Sequence, residues 1–173
     1  MDLQVREMHL DEVDIRIDYF HDADVAFLEM MGVDQAKLPA RKAWRKKSED
    51  DYARPIEQRE SIQLLWLEEG VPFGFSTADI IEFGSHANMH LHVLDKDKRR
   101  SGRGVECVRQ SAMIYVSMLG LKRLCCRPNA FNTAPNRTLQ KAGFKYVKTF
   151  ETIPGLLNFH QVVNQWELKP DML

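Results

Sequence analysis

What this chain has little of narrows its class before any motif is read. It carries three cysteines, Cys107, Cys125 and Cys126, two of them adjacent, so no disulfide framework can be drawn and all three read as reduced thiols. No apolar run approaches the roughly 20 residues of a membrane span. The opening residues, "MDLQVREMHLDEVD", lack the basic start and apolar stretch of a secretory leader. Charge of one sign is also missing: 24 Lys and Arg stand against 25 Asp and Glu, a formal net charge of -1. That disfavours a dedicated nucleic-acid binder, which needs a basic excess. No repeat, low-complexity tract or linker interrupts the chain. The expectation is a cytoplasmic protein, one domain over residues 1–173, with neither nucleic acid nor membrane as partner.

What is there is an ordinary globular composition, 44% hydrophobic and 28% charged, with a changing rhythm. "LQVREMHL" alternates weakly and predicts a first strand. "DEVDIRIDYFHDADVAFLEMM" begins with acids suited to a helix N-terminus and spaces apolar residues by three and four. "ARKAWRKKSEDDYARPIEQRE" reads as a second, polar helix ending before Pro55. "SIQLLWLEEG" and "VPFGFSTADII" predict two hairpin-connected strands, and "ANMHLHVL" the next. From Val105, apolar residues at Val108, Ala112, Val116 and Leu119 predict a helix that Gly120 stops. "KRLCCRP" reads as a short strand. "APNRTLQKAGF" reads as a short helix, with Pro135 in its first turn and Gly143 at its end. "KYVKTFETI" and "QVVNQWELK" close the chain as strands. The order is strand, two helices, three strands, helix, strand, helix, two strands: a mixed α/β domain.

Between the fourth strand and the long helix lies "KDKRRSGRG". Arg99, Gly102 and Gly104 make an R-x-x-G-x-G spacing. Glycines let a backbone approach a ligand closely, and successive amides ahead of a helix N-terminus form an anion nest. The implied ligand is a pyrophosphate, with Lys96, Lys98, Arg100 and Arg103 adding charge. A solvated basic turn is the alternative. The dinucleotide pattern fails because Cys107 takes the third glycine's place.

Two motifs together identify a resemblance. "RRSGRG" is similar to the pyrophosphate turn of the acetyl-CoA-dependent N-acetyltransferase superfamily (GNAT). "NTAPNRTLQKAGF" is similar to that family's N-x-x-S-x-x-x-x-x-K-x-G-F segment, with Asn132, Lys141, Gly143 and Phe144 in register and Pro135 in place of Ser. Leu139, where other branches carry Tyr, resembles the ribosomal-protein N-terminal acetyltransferase branch. The resemblance implies an α/β fold whose mixed, mostly antiparallel sheet of about six to seven strands splays between strands four and five, with about four helices. It implies acetyl-CoA as co-substrate, the backbone of Val93 and Leu94 along its pantetheine arm, and the amides of Arg100, Ser101, Gly102, Arg103, Gly104 and Val105 on its pyrophosphate, behind Arg99. It gives Asn132 a hydrogen bond to the cofactor near the pantetheine.

On a strand, His86, Asn88, His90 and His92 share one face. The family places a proton relay there, and "HLHV" also resembles the two-histidine strand of serotonin N-acetyltransferase, shifted toward the turn. His90 and His92 are therefore the candidate catalytic bases for deprotonating an amine. Hydrogen-bonded core histidines are the other reading; a metal held by His86, His90 and His92 lacks a nearby acidic residue in sequence, and no metal is expected. The family's Tyr acid is missing. A thiol pKa of about 8.5 lets a thiolate leave unassisted, and Tyr146 reads as a core or surface residue. Cys125 and Cys126 read as buried strand thiols.

The family lines its acceptor pocket with the first helices and the loop before the last strand, here "IPGLLNFHQ". Arg41, Lys42, Arg45, Lys46 and Lys47 suit either an acidic acceptor or a solvated helix face with Trp44 turned inward. The implied partner is an amine-bearing substrate, a small molecule or a protein N-terminus; a homodimer is compatible. The implied function is N-acetyl transfer by direct attack, the rival being a CoA-binding sensor without catalysis.

Overall fold

Among the described residues, seven strands and five α-helices follow the order the hydrophobic rhythm implies, except that its first helix is divided in two. The computed structural model describes residues 2–94 and 102–173. The first half runs β1 (Leu3–Glu7), α1 (Val13–His21), α2 (Val25–Met30), α3 (Arg41–Tyr52), β2 (Ile62–Glu68), β3 (Val71–Glu82) and β4 (His86–Val93). The second runs α4 (Arg103–Leu119), β5 (Arg123–Cys126), α5 (Thr133–Ala142), β6 (Lys145–Thr152) and β7 (Gln161–Leu168). The strands form one sheet in the order β1-β2-β3-β4-β5-β7-β6. Only β4 and β5 are parallel; every other neighbouring pair is antiparallel.

The first helical stretch differs from the expectation. It is two helices, so the described residues hold five α-helices rather than about four. After His21 the chain turns, and the Asp24 carboxylate accepts the Phe27 N–H at 2.7 Å, an N-cap that starts a new helix instead of continuing the old one. The first strand is also shorter. Beyond Glu7 the chain bends at His9, whose N–H donates to the Glu12 carboxylate at 2.8 Å. Arg6 clamps that carboxylate with both guanidinium nitrogens, at 2.8 and 2.7 Å. Gly120 and Gly143 close α4 and α5 in the left-handed conformation, as expected.

Period-2 alternation sends β2–β4 side chains to two opposite layers. One face packs Trp66, Phe73, Ala78 and Met89 against Val108, Ala112, Tyr115 and Leu119 of α4. The other packs Leu65 and Phe75 against Ile17, Phe20, Leu28 and Trp44 from the first three helices. Each large apolar side chain so buried contributes roughly 1.5–3 kcal/mol, enough to pin the register of the central strands. That second face, near its meeting with β5, carries the site.

Candidate functional site

β4 and β5 pair only at His86, Ala87 and Asn88, opposite Arg123, Leu124 and Cys125. Past Asn88, β4 continues alongside β3 alone, with His90 opposite Thr77 and His92 opposite Phe75. The two parallel strands thus part, and a gap opens between their C-terminal ends. β4 runs out at Val93; the Leu94 N–H donates to the Phe73 carbonyl at 2.8 Å, toward β3 and away from the gap.

Gly102 heads α4 at φ 80°, a left-handed backbone that glycine adopts without Cβ strain. No atom of the described residues lies within 4 Å of where a Cβ of Gly102 would stand, whereas one on Gly104 would meet Thr138 of α5 at 3.9 Å. The Val105 N–H is committed to the Gly102 carbonyl at 3.1 Å, so Val105 is not a free donor. The N–H groups of Arg103 and Gly104 are the first of the helix and have no partner among the described residues, as helix geometry requires of a first turn. The Arg103 side chain pairs with Glu68 of β2. Arg99, Arg100, Ser101, Lys96 and Lys98 lie outside the described residues. Asn132 caps no N–H with its side chain at the head of α5; half-buried, it lines the cavity described next.

A cavity of about 260 Å³ lies over the gap, between the sheet, α1, α3 and the segment before β7. His90 and His92 both line it. His90 Nε2–H donates to the Asp79 carboxylate at 2.9 Å, a partner on the neighbouring strand. Burial pushes the His90 pKa down, but the charge of Asp79 and the hydrogen bond to it outweigh that, and the net shift is upward. His92 behaves oppositely. Burial, the charge of His90 and the charge of Arg16 hold it well below the ordinary histidine range. His92 stacks on Phe75 with centroids 4.8 Å apart, and edge-on with Tyr19 and Phe20 at 5.1 Å each. The strand face expected for these histidines is the one observed, and the structure brings them together in one cavity.

The segment before β7 covers His90, as its Pro-Gly break suggests. Pro154, Leu156, Leu157 and Asn158 line the cavity. A Cβ on Gly155 would stand 3.0 Å from Cε1 of His90 and 2.7 Å from Oδ1 of Asn158, so the backbone here approaches the imidazole more closely than any side chain permits. The cover is tied to the α2–α3 connection. Asn158 Nδ2 and Gln161 Nε2 each donate to the Gly32 carbonyl at 2.9 Å, and Lys37 Nζ donates to the Asn158 carbonyl at 2.6 Å.

Sequence reasoning missed two charged residues of this site. Asp79 lies on β3, and nothing in its local sequence signals a histidine partner eleven residues away; the β3–β4 register does. Arg16, on α1, lines the cavity and places its guanidinium 4.9 Å from the Trp44 ring centroid. Burial lowers its pKa to about 10, against the charge of Asp79, so it remains a cation at neutral pH. The cluster on α3 looked the better anion site, yet Arg41 pairs with Asp18 and Asp22, Arg45 with Asp14, Lys46 with Asp50 and Lys47 with Glu60. Its solvated-face reading is the observed one, with Trp44 buried and stacked on Phe20 at 5.6 Å.

The other candidates fall outside the chemistry. Tyr146 is 54% exposed and donates to or accepts from Thr149 Oγ1 at 2.7 Å. Cys125 and Cys126 are buried, and burial raises both thiols; Cys126 lines the cavity as a thiol rather than a thiolate. Among the described residues no three His, Cys, Asp or Glu side chains gather as a metal site requires, and no helix is long and apolar enough to cross a membrane.

Solved structures share this architecture over nearly the whole chain. RimL, a ribosomal L7/L12 alpha-N-protein acetyltransferase in complex with coenzyme A, is 15% identical with a TM-score of 0.76, over 99% of this chain and 96% of that one. The aminoglycoside acetyltransferase AAC(6')-Ib, in complex with coenzyme A and kanamycin, is 12% identical at a TM-score of 0.71, with 99% and 96% covered. An N-acetyltransferase from Staphylococcus aureus Mu50 is 17% identical at 0.68, with 98% and 99% covered. No protein-family model matches the chain, and no curated protein matches it in sequence. The fold is that of the N-acetyltransferases.

Proposed function

We propose that residues 1–173 form one acetyl-CoA-dependent N-acetyltransferase domain acting on a primary amine. The observation that carries this reading is the parted β4–β5 pair, with Gly102 heading α4 in the left-handed conformation. A gap between strands suits a pantetheine arm, and unpartnered amides at the head of a 17-residue helix suit a pyrophosphate. Val93 is the last β4 residue along that gap. Leu94, whose N–H is committed to β3, serves only through its carbonyl. Gly102, Arg103 and Gly104 hold the pyrophosphate, with Arg99, Arg100 and Ser101 completing the turn. Val105 supports it by its bond to Gly102, and Asn132 reaches the cofactor from the other side.

Acetyl-CoA supplies the activated thioester. The chain's own residues must free the amine of its proton, hold it and exclude water. His90 is the stronger base of the pair because Asp79 orients and charges it. His92 stays neutral and relays the proton within the same cavity. The amine nitrogen then attacks the thioester carbonyl directly and the thiolate departs. Two of the similar structures act on a protein N-terminus and on an aminoglycoside, by their descriptions; the closed cover over His90 favours a small amine here.

One observation favours a non-catalytic CoA sensor instead: the family's usual acid is absent, Leu139 being wholly buried and Pro135 lining the cavity. Thermal unfolding with acetyl-CoA, CoA and NAD is the first test. A ligand at a hundredfold over its Kd adds about 2.7 kcal/mol, and only the CoA species are expected to shift the transition. Gly102→Arg is expected to remove that shift; a full shift in this variant would remove the turn from the account. Free thiol released on adding an amine separates enzyme from sensor.

A further inference from the structure

Among the described residues, every cation in the cavity wall but one has a hydrogen-bonding partner. Lys47 pairs with Glu60, Lys37 donates to the Asn158 carbonyl, and Arg127 Nε donates to Gln165 Oε1. Arg16 has no hydrogen-bond acceptor and no carboxylate at ion-pair distance among the described residues, and its buried Nε is unsatisfied. The wall's carboxylates are already taken. Asp79 accepts from His90, Asp51 accepts the N–H groups of Glu60 and Ser61, and Glu60 holds Lys47. A second unpartnered polar atom lines the same cavity. Thr77, only 4% exposed, lines the cavity with its Oγ1 unpartnered, directly across the strand pair from His90. A guanidinium stacked on an aromatic ring and left with open donors is the geometry that receives a carboxylate in a planar, two-point contact.

Resting on the acetyltransferase reading, we propose that the acceptor is a small amine that also carries a carboxylate, bound by Arg16 with the Thr77 hydroxyl, while its amino group faces His90 and His92. Arg16, His90 and His92 line the same cavity, and Phe20 links them, stacked on the Trp44 ring that lies under Arg16 and edge-on to His92 at 5.1 Å, so acid and amine can belong to one small molecule of amino-acid size. The 260 Å³ cavity fits that size. A polycationic acceptor would set its charges against Arg16.

The test pairs each L-α-amino acid with its own carboxamide in a thiol-release assay, with O-phosphoethanolamine as the phosphate arm. The amide's amine is the less basic and the more available unprotonated, so a preference for the acid runs against intrinsic reactivity. The native protein is expected to favour acid over amide by on the order of tenfold or more in kcat/KM. Arg16→Gln is expected to erase that preference, and Arg16→Lys to restore it in part, both with acetyl-CoA affinity unchanged. Amides or phosphoethanolamine used as well as the acids, or a preference that survives Arg16→Gln, would overturn the assignment. Thermal shifts with the amino acids alone give a readout without turnover. No shift with any carboxylate, in a protein that does bind acetyl-CoA, would also overturn it. Loss of acetyl-CoA binding itself would instead condemn the acetyltransferase reading.

Discussion

The two faces of the central sheet are built from the same strands and treat their polar groups in opposite ways. On the α4 face, Trp66 Nε1 donates to Ser111 Oγ at 2.9 Å, Ser76 Oγ lies 3.2 Å from Ser111 Oγ and 3.0 Å from the Tyr115 hydroxyl, and that hydroxyl reaches the Ile62 carbonyl at 3.3 Å. Every hydroxyl there is answered, as a packed interior demands. On the opposite face, one residue along the same strand, Thr77 Oγ1 has no partner; nor do Asn88 Nδ2 and Arg16 Nε. Unanswered buried polar atoms are costly. Their concentration beside His90 and Asp79 marks this face as shaped for a ligand, whereas the α4 face is shaped for stability.

The largest expected effect breaks the site face without touching the other. Changing His90 to Ala is expected to lower kcat by about 10²–10³-fold, the usual range for a lost general base, while acetyl-CoA affinity holds. Asp79→Asn gives the subtler form. Removing the carboxylate charge lowers the His90 pKa, so the acid limb of the pH–rate profile should move to lower pH while the plateau rate falls. A limb that stays in place would return His90 to a structural role.

A smaller effect comes from approaching the same imidazole through its cover. Gly155→Ala inserts a Cβ against His90 and Asn158, and a misplaced catalytic group costs roughly ten- to a hundredfold in kcat. Native kinetics in this variant would show that the cover yields freely.

The smallest effect is the most direct test of the comparison. Ser76→Ala removes a satisfied hydroxyl and should destabilise by about 1–2 kcal/mol. Thr77→Val, its neighbour, removes an unsatisfied one and should leave stability unchanged or raise it by up to about 1 kcal/mol, at the expense of acceptor binding. Denaturant titration of both variants reads the sign. Equal losses at the two positions would erase the distinction between the faces.

Much of this arrangement was legible before folding. The alternation in "ANMHLHVL" placed His90 and His92 on one face, and the glycine spacing located Gly102 at the head of a helix. Other features were not legible because they depend on contacts between distant segments. Five basic residues in α3 suited either an acidic acceptor or a solvated face; the α1 region and the α3–β2 connection supply carboxylates for Arg41, Arg45 and Lys47, and only Lys46 finds its partner locally, in Asp50 one turn on. Arg16 stood alone in α1 with nothing nearby in sequence to single it out. Arg103 meets Glu68 only because the fold brings β2 alongside the head of α4.

Local chemistry, then, was enough to determine the elements, their order, the strand face of the histidines and the left-handed turn at Gly102, because periodicity and backbone permissiveness act over a few residues. Only the tertiary structure decided which charges are cancelled and which remain. The register of β3 against β4 delivers Asp79 to His90, and the packing of α1 on the sheet leaves Arg16 facing the cavity without a counter-ion. Electrostatic pairing is a property of distances through space, and no spacing along the chain encodes it.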